Sequence, residues 1–197
     1  EDELKAHFEG ISENALSLGK IDGKTYGLAF TFSTPILYIN GKLFEEAGLD
    51  PNQPPKTWDE MLEMAKTIKE KTGVDGFGLA PDNGWVTEGI VYTAGSDMVN
   101  EDKTEAVFAN DNTVKAFELW KEFYTEGCAA KGTDSELSQQ FMAGNLAMHI
   151  QSTSMLSGFK SASEAGDWEL YGAAMPGLNG NDAVPVNSGS CLAVRPD

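Results

Sequence analysis

Aromatic rings, hydroxyls and amides are concentrated in a few short stretches: Phe30-Thr31-Phe32-Ser33-Thr34, Asp82-Asn83-Gly84-Trp85, Gln151-Ser152-Thr153-Ser154 and Asn187-Ser188-Gly189-Ser190. Such groups suit a ligand with hydroxyls around its edge and weakly apolar C–H faces. An aromatic plane stacks on the face, and short polar side chains or carboxylates bond the edge. A sugar has that surface. The candidate binding residues are therefore Phe32, Ser33, Thr34, Asn83, Trp85, Gln151, Ser152, Ser154, Asn187 and Ser188. Each also has a plain structural use, because a tryptophan such as Trp85 fills a core as readily as it stacks on a ligand.

Covalent and acid–base chemistry finds less support. His7 and His149 are the only histidines. His149 lies inside the apolar run Leu146-Ala147-Met148-His149-Ile150, which reads as a core or half-buried position. Neither histidine has a cysteine or serine at motif spacing to make a nucleophile. Asn187-Ser188-Gly189-Ser190 lacks the second glycine of a nucleophile elbow. A phosphate-cradling Gly-x-x-x-x-Gly-Lys-Ser/Thr loop is absent, which excludes a P-loop ATPase. A glycosidase-type carboxylate pair stays open, since 31 acidic residues offer many pairs. Asp97, Asn100 and Asp102 lack the spacing of an EF-hand and read as a solvated loop. No Cys-x-x-Cys occurs, and no metal or cofactor is expected. Cys128 and Cys191 could pair or stay reduced, and the expectation is two buried free thiols.

Composition narrows the classes further. At 197 residues one domain is expected, with two small ones possible. With 41% hydrophobic residues the chain can bury a core. A formal charge of −17 argues against nucleic acid and against an anionic membrane surface, both of which need clustered Lys and Arg. No apolar run is long enough for a transmembrane helix. The opening EDELKAHFEG is acidic and does not read as a signal peptide.

The elements that would position these groups follow from periodicity. Leu4, Phe8, Ile11, Ala15 and Leu18 predict an amphipathic helix, broken near Gly10. A strand over 21–29, a loop over 30–34 and a buried strand over 35–40 follow. A short helix over 43–47 stops at Gly48. Thr57 opens the next helix, with Glu60 completing a capping box and Trp58, Met61, Leu62, Ala65 and Ile68 as its apolar stripe. Trp58 reads as structural, as do Trp120 and Trp168. A strand over 74–79, a loop over 81–88, a short helix over 89–94 and a polar hairpin or loop over 95–112 come next. Asp111 caps a helix carrying Phe117, Trp120 and Phe123. Asp134 or Ser135 caps another, with Leu137, Phe141 and Met142. A strand over 146–150, a helix from Ser152–Ser154 to about Lys160, and strands over 168–174 and 185–194 complete the chain. Helices alternate with short apolar strands, so the class is α/β.

Part of this pattern carries a resemblance. Tyr26-Gly27-Leu28, a polar loop and a strand ending at Asn40 precede Lys42-Leu43-Phe44-Glu45-Glu46-Ala47-Gly48-Leu49. Pro55-Lys56-Thr57-Trp58-Asp59-Glu60 follows across a short Pro/Asn linker. Phe141-Met142-Ala143-Gly144-Asn145-Leu146-Ala147-Met148 leads into a hydroxyl-rich turn, and Pro176-Gly177 precedes the last strand. In this combination the chain resembles the extracellular solute-binding proteins of ABC importers, in particular the family 1 sugar-binding group that includes maltose-binding proteins. The resemblance covers roughly residues 19–194.

That resemblance implies a periplasmic-binding-protein-like fold of type II, mainly its second, C-terminal lobe with parts of the hinge strands. Residues 1–29 would be a remnant of the first lobe and the first crossover, 30–186 the second lobe, and 187–197 the returning hinge strand. It implies a carbohydrate held between two lobes and delivered to the permease's transmembrane subunits, with hinge closure rather than catalysis. It also implies a monomer outside the cytoplasm, in the periplasm or lipoprotein-anchored at the outer face of the cell membrane. One lobe alone would carry half a pocket and bind weakly. Trp85 matches a position that stacks on sugar. Ser33 stands where a relative places a carboxylate, and Ser154 where one places a stacking tryptophan. Those departures point to a smaller, differently shaped or non-sugar ligand. A glycoside-processing enzyme or a cell-surface interaction module on an α/β scaffold are the alternatives.

Overall fold

The computed structural model describes residues 3, 6 and 8–193. Leu4, His7 and Val194 lie outside the described residues. The chain divides into two compact units: residues 1–34 with 187–197, and residues 35–186.

In the first unit the expected break near Gly10 is present. Gly10 takes φ +81°, and helix resumes only at α1 (Glu13–Leu16), followed by a 3-10 turn over Ser17–Gly19. Ser12 caps α1 by accepting the Ala15 N–H at 3.3 Å. Strands β1 (Lys20–Ile21) and β2 (Lys24–Thr25) turn through Asp22 and Gly23, both at positive φ, as a two-residue hairpin requires. Strand β3 (Gly27–Ser33) then pairs antiparallel with the closing strand Ser188–Ala193, with a register shift at Phe30. Residues 30–33, expected as a loop, are therefore part of a strand. Their hydroxyls and exposed rings conceal the strand in the sequence, because neither face alternates cleanly between apolar and polar. Gly27 and Gly189 let the two strands approach: a Cβ on Gly27 would lie 2.8 Å from Cys191 Sγ.

The second unit is built on β4 (Pro35–Asn40), α2 (Gly41–Glu46), α3 (Trp58–Thr72), β5 (Asp75–Gly78), α4 (Gly84–Thr93) and α5 (Asp111–Thr125). It continues with β6 (Ala129–Ala130), α6 (Asp134–Met142), β7 (Leu146–Ser152), a 3-10 turn over Thr153–Met155, α7 (Leu156–Ala165) and β8 (Leu170–Ala173). A five-stranded sheet runs in the order β6-β5-β7-β4-β8. Strand β5 is parallel to β6 and β7, whereas β4 is antiparallel to β7 and β8.

Helices cover both faces of this sheet, as its apolar strands require. Successive β4 side chains alternate between two cores. Leu37 and Ile39 join Trp58, Met61, Ile68, Phe77 and Phe123 of the larger one. Tyr38 joins Leu137, Phe141, Phe159 and Trp168 on the other. Trp58 is fully buried, with ring centroids 5.8 Å from Phe77 and 6.2 Å from Phe123, both edge-on. Truncating it to alanine would cost roughly 3–5 kcal/mol. Trp120 and Trp168 are also core residues, although Trp168 precedes β8 instead of lying within a strand.

Local chemistry sets several boundaries away from their expected places. Thr57 caps α3 through the Glu60 N–H, but the Glu60 carboxylate reaches back to the Lys56 N–H at 2.7 Å. Asn110, one residue before Asp111, caps α5. Thr133 caps α6 in a full capping box with Glu136, so Asp134 is the first helical residue and not the cap. Helix α4 begins at Gly84, five residues before the expected start, because the Asn83 side chain accepts the Val86 N–H at 3.2 Å. Residues 95–110, before α5, contain only an isolated bridge between Val99 and Ala106.

Candidate functional site

Parallel strands β5, β6 and β7 each lead from a carboxyl end into a helix: β5 into α4, β6 into α6, and β7 into the turn before α7. Ligands of α/β sheets sit outside such carboxyl ends. In this unit the three junctions are tied together by one carboxylate. Asp134 Oδ1 accepts a hydrogen bond from Asn83 Nδ2 at 2.9 Å, and Oδ2 accepts one from Gln151 Nε2 at 2.6 Å. The Asp134 backbone N–H donates to Asp82 Oδ1 at 3.1 Å, placing a second carboxylate at the start of α6.

The network continues inward and along β7. Gln151 Nε2 also donates to Ser138 Oγ at 3.3 Å, and Ser138 Oγ lies 3.0 Å from His149 Nε2. Gln151 Oε1 accepts the Ser152 N–H at 2.7 Å. The Ser152 and Ser154 hydroxyls are 2.8 Å apart, and the Tyr38 hydroxyl donates to the Ser152 carbonyl at 2.9 Å. Burial pushes the Tyr38 phenol up to about 12, so it remains a donor.

His149 is a core histidine, as expected. Burial holds its pKa below the ordinary imidazole value; the Asp134 charge opposes this, as does the Gly78 backbone beside the ring. Its Nδ1 makes no hydrogen bond of good geometry among the described residues. The ring is thus neutral near pH 7 and serves packing and the Ser138 contact rather than proton transfer.

The expected binding residues fall into two sets. Asn83, Trp85, Gln151, Ser152 and Ser154 belong to the second unit. Asn83 and Gln151 are committed to internal bonds: each carbonyl oxygen takes a backbone N–H, and each amide nitrogen bonds Asp134. Ser152 is buried, while Ser154 is exposed. Trp85 is half-buried in the first turn of α4 rather than on a loop, and its Nε1 is buried with no partner among the described residues. Phe32, Ser33, Thr34, Asn187 and Ser188 belong to the first unit. Ser33 faces Ser188 across the ladder, Phe32 pairs with Gly189 and is 45% exposed, and Asn187 is exposed just before the closing strand. Thr34 is half-buried between β3 and β4.

Sequence reading missed Asp134, Asp82, Ser138 and His149 as parts of a network. The one available signal was position, since Asp134 follows a short apolar strand at a helix start. The hollow bounded by Gly78, Ala80, Asn83, Val86 and Asp134 holds about 10 Å³, room for one water at most. That hollow is too small to hold a sugar. Asp97, Asn100 and Asp102 form a turn in which the Asn100 amide oxygen accepts the Thr104 and Glu105 N–H groups. Among the described residues no cluster of three or more His, Cys, Asp or Glu side chains could hold a metal ion. Cys128 is buried and Cys191 half-buried, so only one of the two thiols expected to be buried is fully so; both are free. No described helix is long and apolar enough to cross a membrane.

A sequence profile of bacterial extracellular solute-binding proteins matches residues 2–196. The chain belongs to this family. The lactose-binding protein of Rhizobium radiobacter is 26% identical over 187 residues, covering 93% of this chain and 44% of that protein. The sn-glycerol-3-phosphate-binding periplasmic protein of Escherichia coli (strain K12) is 30% identical over 141 residues, covering 66% of this chain and 32% of that protein. Among solved structures, the cyclic alpha-maltosyl-1,6-maltose binding protein from Arthrobacter globiformis matches with a TM-score of 0.80 at 25% identity, over 98% of this chain and 49% of that one. An ABC transporter solute-binding protein from Thermotoga lettingae, bound with alpha-D-tagatose, matches with a TM-score of 0.85 over 98% of this chain and 52% of that one. At 23% identity this second likeness speaks for the fold alone. The fold is that of about half of a type II periplasmic binding protein, and the chain spans about half the length of the proteins it matches, or less.

Proposed function

We propose that this chain supplies one wall of the ligand cleft of an ABC-importer solute-binding protein for a carbohydrate. The observation that carries the reading is the tying of three strand-to-helix junctions into one rigid rim by Asp134, with Trp85 and Ser154 on it. A half-buried indole on one junction and an exposed serine hydroxyl on another suit a sugar's C–H face and its edge. The relatives' names, lactose-binding and cyclic alpha-maltosyl-1,6-maltose binding, support the same ligand class.

The protein's work is binding, not catalysis. Both Asp134 oxygens already accept hydrogen bonds, and Asp82 accepts the first N–H of α6, so neither is a free general acid or base. Closure around the ligand comes from its greater affinity for the closed form, and the closed form then docks on the permease's transmembrane subunits. The full-length protein acts as a monomer outside the cytoplasm. Phe32, Ser33, Thr34, Asn187 and Ser188 are proposed as further ligand residues on the strength of their composition. The division of the chain into a first-lobe remnant, a second lobe over 30–186 and a returning hinge strand belongs to the same proposal.

Calorimetric titration of the full-length protein with maltose, lactose, alpha-D-tagatose and sn-glycerol 3-phosphate tests this reading. Saturable binding of at least one of the three sugars is expected. Binding of the phosphate ester alone, or of none, contradicts it.

A further inference from the structure

We infer that Asp134 is the positioning residue of the ligand site, its carboxylate fixing the turn that bears Trp85 and the turn that bears Ser154 to the start of α6. The inference rests on reading these junctions as ligand-binding. Asp134 touches no ligand in this scheme; it acts through Asn83 and Gln151, 51 and 17 residues away in the chain.

The hydrogen-bond inventory leaves these amides one orientation. Asn83 Oδ1 is occupied by the Val86 N–H and Gln151 Oε1 by the Ser152 N–H, so each –NH2 must point at a second acceptor. Asp134 supplies both acceptors from one side chain, at 2.9 and 2.6 Å. Charge-assisted bonds of this length are the stronger kind, and the start of α6 favours the negative charge.

Order then passes outward along two routes. The Asn83 cap fixes the first turn of α4, which carries Trp85. The Gln151 bond to Ser152 N–H fixes the strand end, from which Ser152 Oγ accepts the Ser154 N–H at 3.1 Å. An isosteric amide at position 134 cannot serve both donors. It offers one oxygen and one –NH2, so one N–H would face another N–H.

The test is Asp134→Asn in the full-length protein, with maltose, lactose and alpha-D-tagatose as calorimetric probes. Side-chain amide resonances of Asn83 and Gln151 are followed by NMR. Affinity for the sugar that the parent protein binds best should fall roughly tenfold or more, the order seen when a partner orienting a contact group is removed. The Asn83 and Gln151 amide signals should move together. Adding Gln151→Glu to Asp134→Asn restores a donor–acceptor pair across one bond and should recover part of the affinity, which a merely structural role would not predict. If Asp134→Asn does not fold, Asn83→Ser keeps a competent helix cap while deleting one bond, and should weaken binding to a smaller extent. Amide signals that move while affinity stays within about twofold overturn the inference and leave the functional reading intact. A parent protein that binds none of the sugars overturns both.

Discussion

With its ring buried beside Phe141 and Phe159 and its Nε2 on Ser138, His149 favours the neutral form in the folded state. Its folded pKa lies below the unfolded value of 6.5, so the unfolded chain binds the proton more readily. Stability from this residue is therefore complete above pH 6.5 and declines as pH falls below it toward the lowered folded value. Calorimetric melting between pH 7 and 5 should show this decline, and His149→Gln should flatten it; an unchanged slope in the variant would place the effect elsewhere. The cysteines differ by the same physics. Burial pushes the Cys128 thiol up to about 11 and leaves it no exposed surface, whereas Cys191 is half-buried. Iodoacetamide should label Cys191 in the native protein and reach Cys128 only on unfolding, as read by peptide mass spectrometry. The core roles of His149 and Trp58 were legible from their apolar neighbours. The role of Asp134 was not. A carboxylate at a helix start reads as a cap, and nothing in local spacing pairs it with an amide 51 residues earlier.

Among the elements, α3 was the most legible, because its stripe from Trp58 to Ile68 matches the helical repeat and its end is marked by Gly73 at φ +75°. The first turn of α4 was not legible. Gly84 is a poor helix former, and its Asn83 cap imitates a turn signal. Strand β3 was misread at its end because its pairing partner lies at the far end of the chain, where only tertiary contact reveals it. The caps give a direct test at this scale. Thr57→Ala and Thr133→Ala should each cost about 1 kcal/mol in denaturant unfolding. Thr133→Ala should cost more, since the Thr133 hydroxyl also donates to the Glu136 carboxylate. Equal and negligible losses would mean that packing alone holds these helix ends.

At the scale of the molecule, the family and the α/β class were both readable from the sequence. The charge of −17 and the missing nucleophile motifs already left binding as the simplest reading. What the structure adds is the carboxylate clamp at the carboxyl ends of β5, β6 and β7. In the full-length protein, Trp85→Ala should weaken carbohydrate binding by roughly tenfold or more, the scale of a central aromatic contact, with melting little changed. The most direct check on the whole account is a crystal structure of the full-length protein grown with the sugar that binds it best. The account predicts a sugar ring stacked on the Trp85 indole, with the Asn83–Asp134–Gln151 bonds intact beneath it. A sugar bound without contact to residues 82–85 or 151–154 would contradict it.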